Sequence, residues 1–203
     1  MGLISNGSTV FDAGAMSAGF GGSMVFMKKL TASGSATLSF VHGSGGVDFS
    51  TYKEYMFTFN NIHPATNSKE FRFNVSIDAG SNYNVAKTTT QFYAFHYENN
   101  SSANLAVRAD QDLAQGTTFQ PLCADVGNEA DECCSGTLHL FNPSSTTFVK
   151  HFISNFNVII ANEQTGNFYT SGYANTTSDV DAIQFKFNSG NIDTGDICLY
   201  GIA

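Results

Sequence analysis

The sequence predicts an all-β fold: an antiparallel two-sheet sandwich, of the jelly-roll type, preceded by an extended glycine-rich N-terminal arm. First, apolar and polar residues alternate in short runs such as 71–77 (FRFNVSI), and this is the period of a half-buried β-strand. Second, turn-forming clusters such as 142–145 (NPSS) separate these runs. Third, no segment keeps a helical period. Many short strands at roughly even spacing are typical of a sandwich.

The predicted strands follow one another from residue 23 to residue 202. They are 23–30, 35–41, 53–60, 70–77, 89–97, 117–122, 134–141, 147–155, 167–174, 181–188 and 196–202. The polar segment 99–115 is left open between one short helix and a strand followed by a long loop. The chain is accordingly divided into an arm, residues 1–22, and one sandwich domain, residues 23–203.

Composition and charge argue against two classes of function, nucleic-acid binding and membrane-surface binding. The chain has 203 residues, of which 13% are charged, and a formal net charge of −8. A nucleic-acid binder needs a basic stripe to displace counterions from phosphates, and Lys28-Lys29 is the only basic pair. The same acidity disfavours an anionic membrane surface. We found no signal peptide and no run near the roughly 18 apolar residues of a membrane span, which predicts a product made in the cytoplasm.

The first 22 residues differ from the rest, with six glycines, one acid and no base. Two interpretations remain open, a disordered tail and an anchor peptide that orders against a partner. Spaced apolar residues on a flexible backbone favour docking, because a pure linker needs no phenylalanine. The predicted docking side chains are Leu3, Ile4, Val10, Phe11, Met16 and Phe20.

Two strands carry aromatic residues on both faces, although a sandwich strand needs only one apolar face. In 90–97 and 147–153 a second apolar face predicts cover by the arm, by a loop or by a neighbouring subunit. We therefore expect a homo-oligomer. The residues predicted to lie at a subunit contact are Phe92, Tyr93, Phe95, Phe148 and Phe152.

The sequence predicts no catalytic residue, no metal site and no cofactor. For a hairpin with the loop 142–145, His139 would oppose Phe148 and His151 would oppose Gly136, which places the two imidazoles on opposite faces. The acidic segment 125–132 is interpreted as a solvated loop tip, with a calcium loop as the alternative. The cysteines match no zinc spacing and are expected to be free thiols, the alternative being a Cys123–Cys133 link.

Four long motifs carry a resemblance to a known family: LTASGSATLSF (30–40), STYKEYMFTFNNIHPAT (50–66), LHLFNPSSTTFVKHFIS (138–154) and IQFKFNSGNIDTGDICLYGI (183–202). Together with the leader GLISNGSTVFDAGAM, they resemble virion structural proteins of marine tailed phages that infect cyanobacteria and other ocean bacteria. The resemblance implies a place in a virus particle, with phage capsid or tail proteins as partners. It also implies sandwich modules on peptide anchors, often trimeric, so a trimer is the favoured oligomer.

Two functional hypotheses follow. The first is an exterior capsid decoration or spike protein that docks through residues 1–22. The second is a tail fibre or receptor-binding module whose loops contact a host glycan or protein. A depolymerase is the third and least favoured interpretation, because no nucleophile elbow or paired-carboxylate pattern supports an enzyme.

Overall fold

The computed structural model describes residues 3–5, 8–12, 15–16 and 23–203, and the described residues contain strands but no helix. The strands are β1 Leu3–Ser5, β2 Ser8–Asp12, β3 Ala15–Met16, β4 Met24–Ser35, β5 Leu38–Val41, β6 Glu54–Pro64, β7 Lys69–Ser76, β8 Lys87–Tyr97, β9 Ala103–Val107, β10 Gln120–Val126, β11 Cys134–Phe141, β12 Lys150–Ile160, β13 Gln164–Ala174, β14 Ala182–Phe187 and β15 Ile192–Ile202. The all-β, antiparallel prediction is confirmed.

Strands β4 to β15 form one antiparallel sheet of 12 strands. Hydrogen-bonded neighbours follow the order β4-β15-β6-β11-β12-β10-β7-β14-β5, and β13, β8 and β9 continue in that order from β12. A separate small sheet has the order β1-β2-β3 within the first 16 residues, and the sequence did not predict its strand pairing.

The large sheet curls so that its two ends face each other across a core of phenylalanine rings. Ring centroids lie 4.9 Å apart for Phe73 in β7 and Phe152 in β12, and 5.4 Å apart for Phe40 in β5 and Phe57 in β6. Neither pair belongs to neighbouring strands. Half of the phenylalanine pairs in the core are edge-to-face, an arrangement that aromatic quadrupoles prefer. The alternating phenylalanines therefore fill one continuous core.

A polar network is buried beside this core, where β8 meets β7 and β10. Lys87 is fully buried, and its Nζ donates to Asn74 Oδ1 at 2.5 Å and to the carbonyl oxygen of Val85 at 2.9 Å. Thr89 donates to Gln120 Oε1 at 2.6 Å in the same layer. Both acceptors of Lys87 are neutral, and desolvation lowers its pKa to about 7.

The strands settle one open interpretation and correct two predictions. In the segment 99–115, the alternative of a strand followed by a long loop is confirmed, because β9 is followed by a loop that reaches β10. The strand predicted at 147–155 begins at Lys150, so Phe148 precedes it. The strand predicted at 117–122 lies further along the chain, at Gln120–Val126.

The β11–β12 hairpin has a longer loop than predicted, and its register is different. His139 pairs with Ile153, and Leu140 pairs with Phe152. The reason is Lys150, which is buried and donates from Nζ to the carbonyl oxygens of Ser145 at 2.6 Å and Phe148 at 3.0 Å. The loop wraps around this ammonium group, so the strand starts later than turn chemistry alone indicates.

Candidate functional site

The outer face of the long strands carries a row of exposed apolar side chains. The register places Val107, Phe92 and Tyr169 side by side across β9, β8 and β13. Phe92 stacks on Tyr169 with ring centroids 5.1 Å apart and an interplanar angle of 11°. Leu105 and Val107 on the free strand β9 are 64% and 71% exposed. Large exposed apolar patches of this kind mark contact surfaces.

A second row crosses the same face nearer the other edge of the sheet. It runs from Phe26 through Tyr200, Met56 and His139 to Ile153, each residue paired with the next across neighbouring strands. Phe26 and Ile153 are 57% and 52% exposed. We call the two rows together the outer face. These residues share one face because successive side chains of a strand alternate, so every second residue points outward.

Ionic groups on the outer face are few, and several of them are paired. Lys29 forms an ion pair with Asp196 at 3.2 Å, and His139 Nδ1 lies 2.6 Å from Glu54 Oε1. The pKa of Asp196 is lowered, first by its hydrogen bond from Thr31 and then by that from Lys29. Two charges that neutralise each other oppose apolar contact less than isolated charges do.

The five residues predicted at a subunit contact do not share one surface. Phe92 lies on the outer face, whereas Tyr93 and Phe95 are half-buried on the inner side of β8. Phe148 is 68% exposed in the loop before β12. Phe152 is only 1% exposed because it packs on Phe73, so it belongs to the core and is closed to a partner.

The inner side of β8 carries three consecutive half-buried rings, Tyr93, Phe95 and Tyr97, which we call the aromatic row. Their centroids are 5.3 Å and 5.9 Å apart in that order. Tyr93 also stacks on the buried ring of Phe168 at 4.8 Å, and the guanidinium of Arg108 lies over the Tyr93 ring, 5.3 Å from its centroid. The row therefore has a fixed position.

A cavity of about 350 Å³ adjoins the end of the aromatic row. Gln164 pairs directly with Tyr97, and Asn162 donates to the Tyr97 hydroxyl at 3.4 Å. The residues that line this cavity are Ser68, Asp125, Ile160, Ala161, Asn162 and Gln164. We call it the Gln164 cavity. It places a carboxylate, a hydroxyl and two side-chain amides beside half-buried aromatic rings.

Two residues that line the cavity, Gln164 and Asp125, have, within the described residues, an unpaired buried atom and a left-handed backbone, respectively. Gln164 is 7% exposed, and its Oε1 has no hydrogen-bond partner within the described residues, although its Nε2 donates to Asn162 at 2.9 Å. Asp125 has a left-handed backbone with φ of 56° and accepts a hydrogen bond from Ser68 at 3.3 Å. The pKa of Arg108 is raised, chiefly by its hydrogen bond to Asp110, with Asp125 adding to the effect.

No solved structure, curated protein or family model matches the chain.

The histidines, acids and cysteines give no metal centre among residues 23–203. His139 and His151 lie on the same face, because the true register differs from the predicted one by an odd number of residues. His139 binds Glu54, while His151 packs against the ring of Tyr173. In the described part of the chain, no three His, Cys, Asp or Glu side chains are grouped as a metal site requires.

The acidic segment is less solvated than predicted at one position. Glu132 is 6% exposed, and its Oε2 accepts a hydrogen bond from the backbone of Glu129 at 2.7 Å. The four cysteines are free thiols, with Cys123 and Cys134 buried. Burial raises the pKa of Cys134 well above its usual value.

The predicted docking residues of the arm remain predictions. Leu3, Ile4, Val10, Phe11 and Met16 fall in strands β1 to β3, of which the backbone pairing is described. Phe20 lies outside the described residues. Among the described residues no helix is long and apolar enough to cross a membrane.

Proposed function

We propose that this chain is a structural component of the exterior of a phage virion, made in the host cytoplasm and without a catalytic role. The resemblance of the motifs at 30–40, 50–66, 138–154 and 183–202 to marine phage virion proteins supports this proposal. The observation that carries it is the outer face, because an exposed row of aromatic and aliphatic residues suits permanent contact with a neighbouring subunit.

The proposal includes a jelly-roll sandwich as the building block. The order β4-β15-β6-β11 on one side of the core and β10-β7-β14-β5 on the other supports it, because these are the two four-stranded sheets of that topology. Strands β12, β13, β8 and β9 then widen one sheet only. This one-sided extension gives the module its broad outer face.

Two contacts would hold the protein in the particle. Residues 1–22 dock on a capsid or tail protein through the apolar side chains of the arm. The outer face packs against a second copy of the chain, and the predicted assembly is a trimer. Neutral polar residues and paired charges suit such a surface to the ionic strength of seawater, where exposed charges are strongly screened.

The outer-face contact is tested by changing the oligomeric state. The double variant Phe92→Ser, Ile153→Ser removes one large apolar side chain from each row. We expect the wild type to be oligomeric by light scattering and the double variant to be monomeric. The matched control is Ile77→Ser, because Ile77 is 43% exposed but follows β7 on the opposite side of the core. A monomeric wild type would refute this contact.

The arm is tested by deleting residues 1–22. The truncated protein should keep its folded β-rich domain, measured by circular dichroism, and should no longer associate with particles. Truncated protein that decorates particles as well as the intact chain would exclude the arm as the anchor.

A tail fibre or receptor-binding module is the second candidate function, and the aromatic row favours it because partly accessible rings beside polar groups suit ligand recognition. Copy number separates the two candidates. Hundreds of copies in a purified particle indicate capsid decoration, whereas a few tens or fewer indicate the tail.

A further inference from the structure

We infer that the aromatic row and the Gln164 cavity together form a binding groove for a neutral oligosaccharide. The inference rests on the isolated domain and is independent of where the protein sits in a particle. It names a site, made of Tyr93, Phe95 and Tyr97 on one side and Asp125, Asn162 and Gln164 on the other, and the class of ligand that fits it.

The aromatic row supplies the apolar half of the site. The rings are half-buried, and each contacts the next, so their accessible edges give a continuous surface along β8. The C–H faces of a pyranose ring are apolar, and burying them on aromatic rings removes apolar area from water. Because Tyr93 contacts both Phe168 and Arg108, its ring is already ordered before a ligand binds.

The cavity supplies the polar half of the site. Its volume of about 350 Å³ lies in the range of small-molecule pockets. Its carboxylate, hydroxyl and amide groups can both donate to and accept from sugar hydroxyls. Gln164 Oε1 is an acceptor without a partner in the described residues. Because this oxygen is buried, the polar groups open to a ligand are those of Ser68, Asp125 and Asn162.

The surrounding charges select a neutral ligand over an anionic one. Glu98 follows Tyr97, and Glu163 stands between Asn162 and Gln164 in the β12–β13 turn. Asp125 lies in the cavity wall. The basic group nearest the row, Arg108, is already paired with Asp110 at 3.0 Å. A sulfated or uronic-acid glycan would meet Asp125 in the cavity wall and, next to the cavity, the acidic depression that Glu98 and Glu163 line, so its negative charges would be repelled.

The test uses the full chain and three neutral probes, cellohexaose, maltohexaose and laminarihexaose, with hexagalacturonate as the anionic comparison. Saturation-transfer NMR and isothermal titration calorimetry measure binding. We expect at least one neutral probe to bind, and Tyr97→Ala to weaken it by about tenfold or more. Asn162→Ala should weaken it as well, because the turn amide is lost while the strand is unchanged. Tyr83→Ala, which removes a half-buried tyrosine in the β7–β8 loop, is the matched control and should bind normally.

Three results would overturn the assignment: no neutral probe binds, hexagalacturonate binds more tightly than all of them, or Tyr83→Ala loses as much affinity as Tyr97→Ala. Thermal unfolding of each variant shows whether it is folded. If Tyr97→Ala does not fold, the Asn162→Ala result decides, and unchanged affinity in that variant would count against the groove.

Discussion

Replacing Lys87 by methionine isolates the effect of burying an amino group in this fold. Lys87 is fully buried, its hydrogen-bond acceptors are the neutral oxygens of Asn74 and Val85, and its pKa is lowered from 10.5 to about 7. In the unfolded chain the amino group keeps its proton up to the normal pKa. Between the two pKa values the unfolded state therefore binds more protons, and the free energy of unfolding rises with pH.

The size of the effect follows from the shift. Each pKa unit corresponds to about 1.4 kcal/mol, so a shift from 10.5 to about 7 costs about 5 kcal/mol of stability where both states are protonated. Between about pH 6.5 and about pH 9.5 roughly 3 kcal/mol of this cost is removed. The free energy of unfolding of the wild type should increase by that amount relative to Lys87→Met.

Urea or guanidinium titrations at several pH values measure this difference, because the protonation of groups present in both proteins affects both equally and cancels. Lys53→Met, which removes an exposed lysine, controls for the loss of one positive charge. The lowered pKa of Lys87 would be refuted if the difference in free energy of unfolding between the wild type and Lys87→Met did not change with pH. It would also be refuted if the free energy of the wild type fell relative to that of the variant as pH rises.

Two further stability predictions concern the sheet and the hairpin loop. Gly136→Ala should lower the unfolding temperature more than Gly34→Ala, because a Cβ at Gly136 collides with the backbone oxygen of Asn155, whereas Gly34 has open space and only a left-handed φ of 62°. Equal shifts of the two transitions, measured by calorimetry, would count against this packing. Lys150→Met should destabilise the fold by about 1–3 kcal/mol in a denaturant titration, because loop carbonyls lose their donor. An unchanged midpoint would show that the loop does not depend on it.

Strand positions could be predicted from the sequence because alternation depends only on neighbouring residues. The runs around Phe71 and Phe185 keep one face fully buried, and both were predicted as strands. The β11–β12 register could not be predicted in the same way. It depends on Lys150, whose ammonium is held by carbonyls of the loop and of Thr176, and that distant contact leaves no local pattern.

The candidate sites were predicted only in part. Strand alternation correctly places Phe92 on one face of β8 and Tyr93 and Phe95 on the other. Which of the two faces points to the core depends on the strand that packs against β8 across the core. Phe152 was misjudged for that reason. The buried position of Lys87 was not predicted, because a lysine followed by threonines also suits an exposed strand.

The position of β15 has a consequence for synthesis. This strand lies between β4 and β6 and bonds to both along its length, so Thr31 and Asp196 meet although they are 165 positions apart. Until residue 202 has been made, the facing edges of β4 and β6 are unpaired and open to strands of other chains. Pairing between strands so far apart in the sequence is also slow, because the chain loses loop-closure entropy before the stabilising strand contacts form. A nascent chain is thus most prone to aggregate just before β15 inserts, and insertion makes the module ready for assembly.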